Sequence, residues 1–249
     1  MQESSGIFLS VVVPAYDEVD RIGETVRRIV EFLDSRPYCS ELIIVLDGGR
    51  PGAAEAVRAA SRRGRAAVRV LDNMTNRGKG FSVRHGVLAA AGQYILFADA
   101  DLSLPIEGAD RFIAALEEGY DVAIASRALP ESIETGTRQR LRHALGRAFN
   151  LVVQRVLLPG IGDTQCGFKA FNRDAAHALF RIQRIDRFGF DVEVLRLARR
   201  FGMRIVELPV TCEYHASSSV RRIRDGTAML LDVSAIMLNE WRGRYDAHP

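Results

Sequence analysis

Asp99 and Asp101 follow an apolar run at 94–98 and stand two residues apart. In extended backbone, side chains two apart point the same way, so both carboxylates can face one site. Two hard oxygen donors suit Mg2+ or Mn2+, with water and phosphate oxygens completing the shell. Without a cation the two charges repel each other. The competing reading is a helix cap beside a turn aspartate. Gly78-Lys79-Gly80 precedes a helix, where glycines let backbone amides approach an anion and the helix terminus adds partial positive charge. Lys79 would neutralise a diphosphate; a plain turn is the alternative, and the Walker A spacing is absent. Lys79 and Lys169 are the only lysines in a chain with 34 basic residues, so a compact ammonium is expected to matter at both places. Asp47-Gly48-Gly49 reads as a nucleobase or ribose contact, or as a tight turn. Ser126-Arg127 and the Arg138/Arg140 pair offer groups suited to a phosphate oxyanion, or a solvated helix face. His85, His143, His177 and His248 have no partner spacing, and His215 lies in a late polar loop. No Ser-His-Asp or Cys-His arrangement is present, so hydrolysis through a side-chain nucleophile is not indicated.

The elements that must position these groups alternate. Short apolar runs at 8–14, 42–46, 67–71, 94–98 and 121–126 read as buried parallel strands. Helical patterns at 18–33, at 53–62, from Gly80 and from Pro105 separate them. That alternation predicts an α/β fold with a mostly parallel, doubly wound sheet. In such sheets ligands sit beyond the carboxyl ends of the strands. Ala15-Tyr16-Asp17-Glu18 and the groups above fall at those ends. Residues 128–137 read as a polar loop, and 138–158 as a basic amphipathic helix with Leu141, Leu145, Phe149, Val152 and Val156 on one stripe. A turn and strand over 161–171, helices near 174–181 and 190–201, and a strand over 204–210 follow. A Ser/Arg-rich loop then leads to a last amphipathic helix carrying Met229, Leu230, Val233, Ile236, Met237 and Trp241. The expected organisation is one domain over 1–215, then a loop and helical extension over 216–249.

Composition bounds the class. An apolar share of 47% and a charged share of 26% are ordinary for a globular chain and exclude disordered and fibrous classes. A net charge of +3 is too small to argue for a nucleic-acid partner. Three scattered cysteines without metal spacing, and no signal peptide, point to a reducing cytoplasm. No apolar run approaches the ~20 residues that cross a bilayer, which leaves peripheral contact with a membrane open.

Taken in order, VVVPAYDE (11–18), LDGG (46–49), NRGKG (76–80), YILFADADLS (94–103), ASR (125–127) and DTQCGFKAFNRDAA (163–176) resemble family 2 glycosyltransferases of the GT-A fold. Within that family the chain is most similar to the dolichyl- or polyprenyl-phosphate glucosyltransferases, near the dolichyl-phosphate mannose synthases. The resemblance spans about residues 8–215. It implies inverting transfer of a sugar from a nucleotide donor to a lipid monophosphate, with UDP-glucose as the leading donor and GDP-mannose as the second. It further implies that Pro14, Ala15, Tyr16, Glu18 and Asp47 line the nucleotide pocket and that Lys79 sits by the phosphates. Asp99 and Asp101 would hold Mg2+ or Mn2+. Asp101, Asp163, Gln165 and Lys169 would act around the donor sugar and acceptor, and Ser126, Arg127, Arg138 and Arg140 on the acceptor phosphate. The 138–158 helix would lie on the cytoplasmic face of the membrane, the alternative being an ordinary amphipathic helix packed on the core. Leu46 stands where the family usually has a second aspartate, and Ser103 where mannose synthases often place glutamine. Two other readings are a soluble transferase acting on a polysaccharide, protein or small molecule, and a non-catalytic nucleotide-sugar-binding module. The sequence does not specify an oligomeric state.

Overall fold

The structure is a computed structural model and describes residues 6–62, 64–136, 150, 153–214 and 222–246. Its strands are β1 (Leu9–Ala15), β2 (Ser40–Leu46), β3 (Ala67–Asp72), β4 (Tyr94–Ala98), β5 (Val122–Ser126), β6 (Ile133–Gly136), β7 (Phe168–Asn172), β8 (Ile205–Pro209) and β9 (Thr211–Tyr214). Its helices are α1 (Ile22–Asp34), α2 (Ala53–Ser61), α3 (Lys79–Ala89), α4 (Ala109–Glu117), α5 (Arg173–Ile182), α6 (Phe190–Arg200) and α7 (Arg222–Trp241).

Seven strands form the main sheet in the order β3-β2-β1-β4-β7-β5-β8. The pairs β1–β2, β1–β4, β2–β3 and β5–β8 are parallel, and β7 runs antiparallel to both of its neighbours. The sheet is buried on both faces, which is why its strands read as continuous apolar runs. Val11 and Val13 pack with Ile22, Val26 and Ile29 of α1 and with α4. Val12, one step out of phase, packs on the other side with Val83, Val87 and helices α5 and α6. Each such side chain, fully buried, contributes about 1.5–3 kcal/mol. A Cβ at Gly86 would lie 2.4 Å from Val12 Cγ1, so glycine allows α3 to press directly onto β1. That contact sets where the amino end of α3, and so Lys79, meets the sheet.

The structure departs from the sequence reading in three places. The 128–137 segment contains β6, which pairs in parallel with β9 in a small ribbon of its own. The strand expected over 204–210 is β8 and ends at Pro209, and β9 follows at Thr211 where a loop was expected, because Val210 turns to exchange bonds with Ser132 and Ile133. α1 begins at Ile22, its first apolar-face residue, four residues later than the expected start at 18, because the amides of Arg21 and Ile22 close a turn on the Glu18 carbonyl. Most of the helix expected over 138–158 lies outside the described residues; of its end, 153–156 are helical.

β5 ends at the carboxyl rim, and β7 enters from the same rim with Phe168 opposite Ala98. A chain that leaves and returns at one edge must run back antiparallel. The whole 127–167 excursion is therefore attached at the rim where the candidate site lies.

Candidate active site

Three loops converge at the ends of β1, β2 and β3. Gly48 and Gly49 have φ of 76° and 105°, and a Cβ on either would meet backbone of residue 76 at 3.0 Å or of Asp17 at 2.8 Å. Glycine is required on both counts. Asp47 is 3% exposed and joins the loops. Its amide donates to the Ala15 carbonyl at 2.9 Å. Its carboxylate accepts the Arg77 amide at 2.8 Å, the Gly78 amide at 2.9 Å and the Asn73 side-chain amide at 2.8 Å. Asn73 in turn bonds Ser82 and His85, which gives His85 a structural role. Asp47 thus shapes the pocket from beneath. Ala15 is also buried, Pro14 is half-buried and Tyr16 is exposed above them. Glu18 pairs with Arg21. Burial and the nearby charge of Asp101 hold the Glu18 carboxyl above its usual value despite that pairing.

The glycines around Lys79 serve packing more than anion approach. Gly78 has φ of 102°, and a Cβ there would lie 2.4 Å from the Asp186 carbonyl oxygen; at Gly80 it would lie 2.5 Å from that of Ile185. The amides of Gly78 and Phe81 already donate to Asp47 and Asp186. What remains directed at the rim is the lysine side chain. Lys79 Nζ lies 2.7 Å from Asp99 Oδ1. Burial works against its charge, but Asp99, Asp191 and Asp101 outweigh that and hold its ammonium above the ordinary lysine value.

Asp99 leaves β4 with its amide bonded to the Gly167 carbonyl at 3.0 Å. Asp101 Oδ1 accepts the Ser103 amide at 3.0 Å, so one of its oxygens closes a turn. A Cβ at residue 167 would lie 1.9 Å from Asp99 Oδ2, so the Asp99 carboxylate occupies space that only glycine leaves. Among the described residues no cluster of three or more His, Cys, Asp or Glu side chains could hold a metal. The donor set is therefore two hard carboxylates, which fits a Mg2+ or Mn2+ ion that keeps water and phosphate oxygens as its other ligands.

On the other side, Arg127 carries its guanidinium to Asp163, with contacts of 2.6 and 3.0 Å. Asp163 is 2% exposed. It also accepts the Arg127 and Gln165 amides, while Glu207 accepts the amides of Gly162 and Asp163. Burial would raise the Asp163 carboxyl, but the bonds from Arg127 prevail and hold it below the usual carboxylate range. It stays an anion that orients Arg127. Gln165 is half-buried, with its amide Nε2 3.8 Å from Met229 Sδ on α7.

Two site residues inferred from the resemblance lie beneath the rim. Ser126 is fully buried because it continues the inward-facing run of β5, so its hydroxyl does not reach a phosphate. Lys169 is 1% exposed, and its ammonium bonds Asp191 Oδ1 at 2.6 Å and the Cys166 carbonyl at 2.7 Å. Lys169 therefore supports the motif from within. Arg138 and Arg140 lie outside the described residues.

Asp191, Asn73 and Glu207 were not foreseen. Asp191 is fully enclosed, and burial raises its carboxyl against the pull of Lys169 and Lys79. Both lysine ammonium groups lie over the Phe97 ring, at 5.7 and 5.3 Å. Lys79, Asp99, Lys169 and Asp191 thus surround one aromatic ring under the rim. The available signal was the pair Asp191 and Glu193 within the otherwise apolar 190–195 run, where a buried acid needs a buried cation.

A mostly parallel sheet with two carboxylates, a lysine and an arginine at its carboxyl rim defines a GT-A-type α/β transferase domain. The sequence profile of glycosyl transferase family 2 matches residues 10–180. A dolichyl-phosphate beta-glucosyltransferase of Drosophila melanogaster is 35% identical over 222 residues, covering 84% of this chain and 68% of that protein. A protein of the same name from Dictyostelium discoideum is 32% identical over 251 residues, covering 95% of this chain and 77% of its own length. Among solved structures, glucosyl-3-phosphoglycerate synthase of Mycobacterium tuberculosis, in complex with Mn2+, UDP-glucose and phosphoglyceric acid, matches with a TM-score of 0.69 at 15% identity, covering 93% of this chain and 80% of that one. The chain belongs to glycosyl transferase family 2.

Proposed function

We propose that this protein transfers glucose, with inversion, from UDP-glucose to a dolichyl or other polyprenyl monophosphate, using Mg2+ or Mn2+. The reading rests on Lys79, Asp99 and Asp101 at the carboxyl rim of the sheet, with Arg127 following β5 at the same rim, supported by relatives that carry the dolichyl-phosphate beta-glucosyltransferase name.

The reaction makes a bond between the sugar's anomeric carbon and an acceptor phosphate oxygen, and breaks that carbon's bond to the donor diphosphate, which leaves as UDP. A phosphate acceptor is already anionic near neutral pH, so no strong general base is needed. That agrees with Asp163 being committed to Arg127. The catalytic demand is charge neutralisation at the leaving diphosphate and in-line alignment of the acceptor. Asp99 and Asp101 would hold a divalent cation, which would supply Lewis-acid stabilisation of that diphosphate. Lys79, kept protonated by the surrounding carboxylates, adds a fixed cation beside it. Asp47 holds the 73–78 loop in place for the nucleotide, and Arg127, with Arg138 and Arg140, draws the acceptor phosphate.

A donor screen with polyprenyl phosphate, with and without metal chelation, tests the reading. The expected product is a polyprenyl-phosphate glucose formed from UDP-glucose and lost on chelation. Transfer to phosphoglyceric acid or to a glycan instead would replace the acceptor, and donor binding without turnover would replace the activity.

A further inference from the structure

Helix α7 is apolar on two sides. Its inward side packs Val233 and Ile236 into the core and adds polar ties to the body. Asp232, 4% exposed, accepts from the Arg187 guanidinium at 2.9 Å and the Gly189 amide at 3.2 Å. Glu240 pairs with Arg196 at 2.8 Å, and Asn239 meets the buried Tyr245 hydroxyl at 3.3 Å. The outward side is apolar: Leu230, Leu231, Met237, Leu238 and Trp241 are 47%, 65%, 47%, 42% and 82% exposed. At helical spacing these positions share one face with Ser234. The stripe also begins at the candidate site, because Met229, the preceding residue, touches Gln165. At its far end Trp241 is followed by exposed Arg242.

We propose that the outward face of α7 lies in the headgroup layer of an anionic lipid bilayer and presents the Gln165–Arg127 side of the site to an acceptor phosphate held in that bilayer. This rests on the lipid-phosphate reading above. Among the described residues no helix is long and apolar enough to cross a membrane. A tryptophan beside an arginine at the end of an apolar stripe matches the chemistry of that layer, apolar ring inward and cation toward anionic headgroups. A helix lying there buries its apolar side about 5–10 Å deep.

The test uses the full chain and the variants Leu231→Glu, Trp241→Glu and their combination. Partition is measured on phosphatidylcholine vesicles with and without phosphatidylglycerol. Transfer is measured to long-chain polyprenyl phosphate embedded in those vesicles and to a water-soluble short-chain polyprenyl phosphate. The double variant is expected to lose vesicle binding and embedded-acceptor turnover by about tenfold or more, and to keep short-chain turnover within about twofold, as surface changes do. Unchanged vesicle binding overturns the proposal. So does a wild-type dimer that the double variant splits, which would make the stripe a self-interface. A fall in melting temperature with loss of short-chain turnover would show the stripe covered by the chain's own residues, and also overturns it. If the wild type uses neither lipid phosphate, the functional reading fails, while the vesicle measurement still judges the docking face.

Discussion

The two sides of the site differ in what their central buried carboxylate holds. Where the nucleotide is proposed to sit, three loops are joined through Asp47, and what it grips is mostly backbone. Where the acceptor is proposed to sit, Asp163 also accepts backbone amides but spends both oxygens on the Arg127 guanidinium, beside the narrow β6–β9 ribbon. Carboxylate-to-amide bonds fix the path of a loop and leave nothing to rearrange. A guanidinium held by a carboxylate can exchange one anion for another. The first side is built as a preformed socket, the second as a holder whose cation trades partners.

The sharpest way to probe that contrast is at the point where the two sides meet. Asp101→Ala is expected to lower transfer at least a hundredfold, with the melting temperature little changed, because a carboxylate for the proposed divalent cation is lost. Near-wild-type turnover would remove the metal reading. Gly167→Ala is expected to weaken Mn2+-dependent UDP binding about tenfold by calorimetry, since the new methyl displaces the Asp99 carboxylate and overpacking is costly.

Removing each side's anchor should separate them. Asp47→Ala leaves two amides and the Asn73 side chain without their acceptor and is expected to cost about 3 kcal/mol, raising KM for the donor more than for the acceptor. Asp163→Ala is expected to cost about 2 kcal/mol, less than a fully buried pair because Arg127 is partly exposed, and to raise KM for the acceptor more. The opposite split in steady-state kinetics would erase the distinction drawn here.

The pH dependence differs in sign. Asp163 titrates lower in the folded chain than unfolded, so its stabilisation is present above about pH 4 and is lost as pH falls through the folded value. Lys79 titrates higher when folded, so its contribution is complete below about pH 10 and is lost as pH rises through the folded value. Denaturant titrations of Asp163→Asn and Lys79→Met against wild type should converge at the acid and alkaline ends respectively. The smallest effect concerns thiols. Burial pushes Cys166 up to about 12, so a thiol reagent at mild alkaline pH should label exposed Cys39 and spare Cys166 until the chain unfolds.

Much of the socket was legible because it consists of strand ends. β1, β2 and β4 announce themselves as apolar runs, and Asp47, Asp99 and Asp101 follow directly. Their roles were less legible. Nothing local tells a carboxylate that faces solvent from one whose oxygens are spent on amides thirty residues away, as in Asp47. The far side was harder still. The short 168–172 run, with Lys169 inside it and Asn172 at its end, does not reveal its direction, and β6 and β9 are too short to stand out from loop composition. Lys169 and Asp191 are separated by a helix and part of the next, so their pairing emerges only when α6 packs under β7.

One consequence follows from the direction of β7. The excursion that leaves at Arg127 is pinned where it returns: Val153, Leu157 and Leu158 are buried in the core, Asp163 holds Arg127, and Gly167 leaves the space that the Asp99 carboxylate fills. A graft between homologous enzymes meant to transplant a preference for one acceptor must therefore keep these residues and exchange the sequence between β6 and Val153.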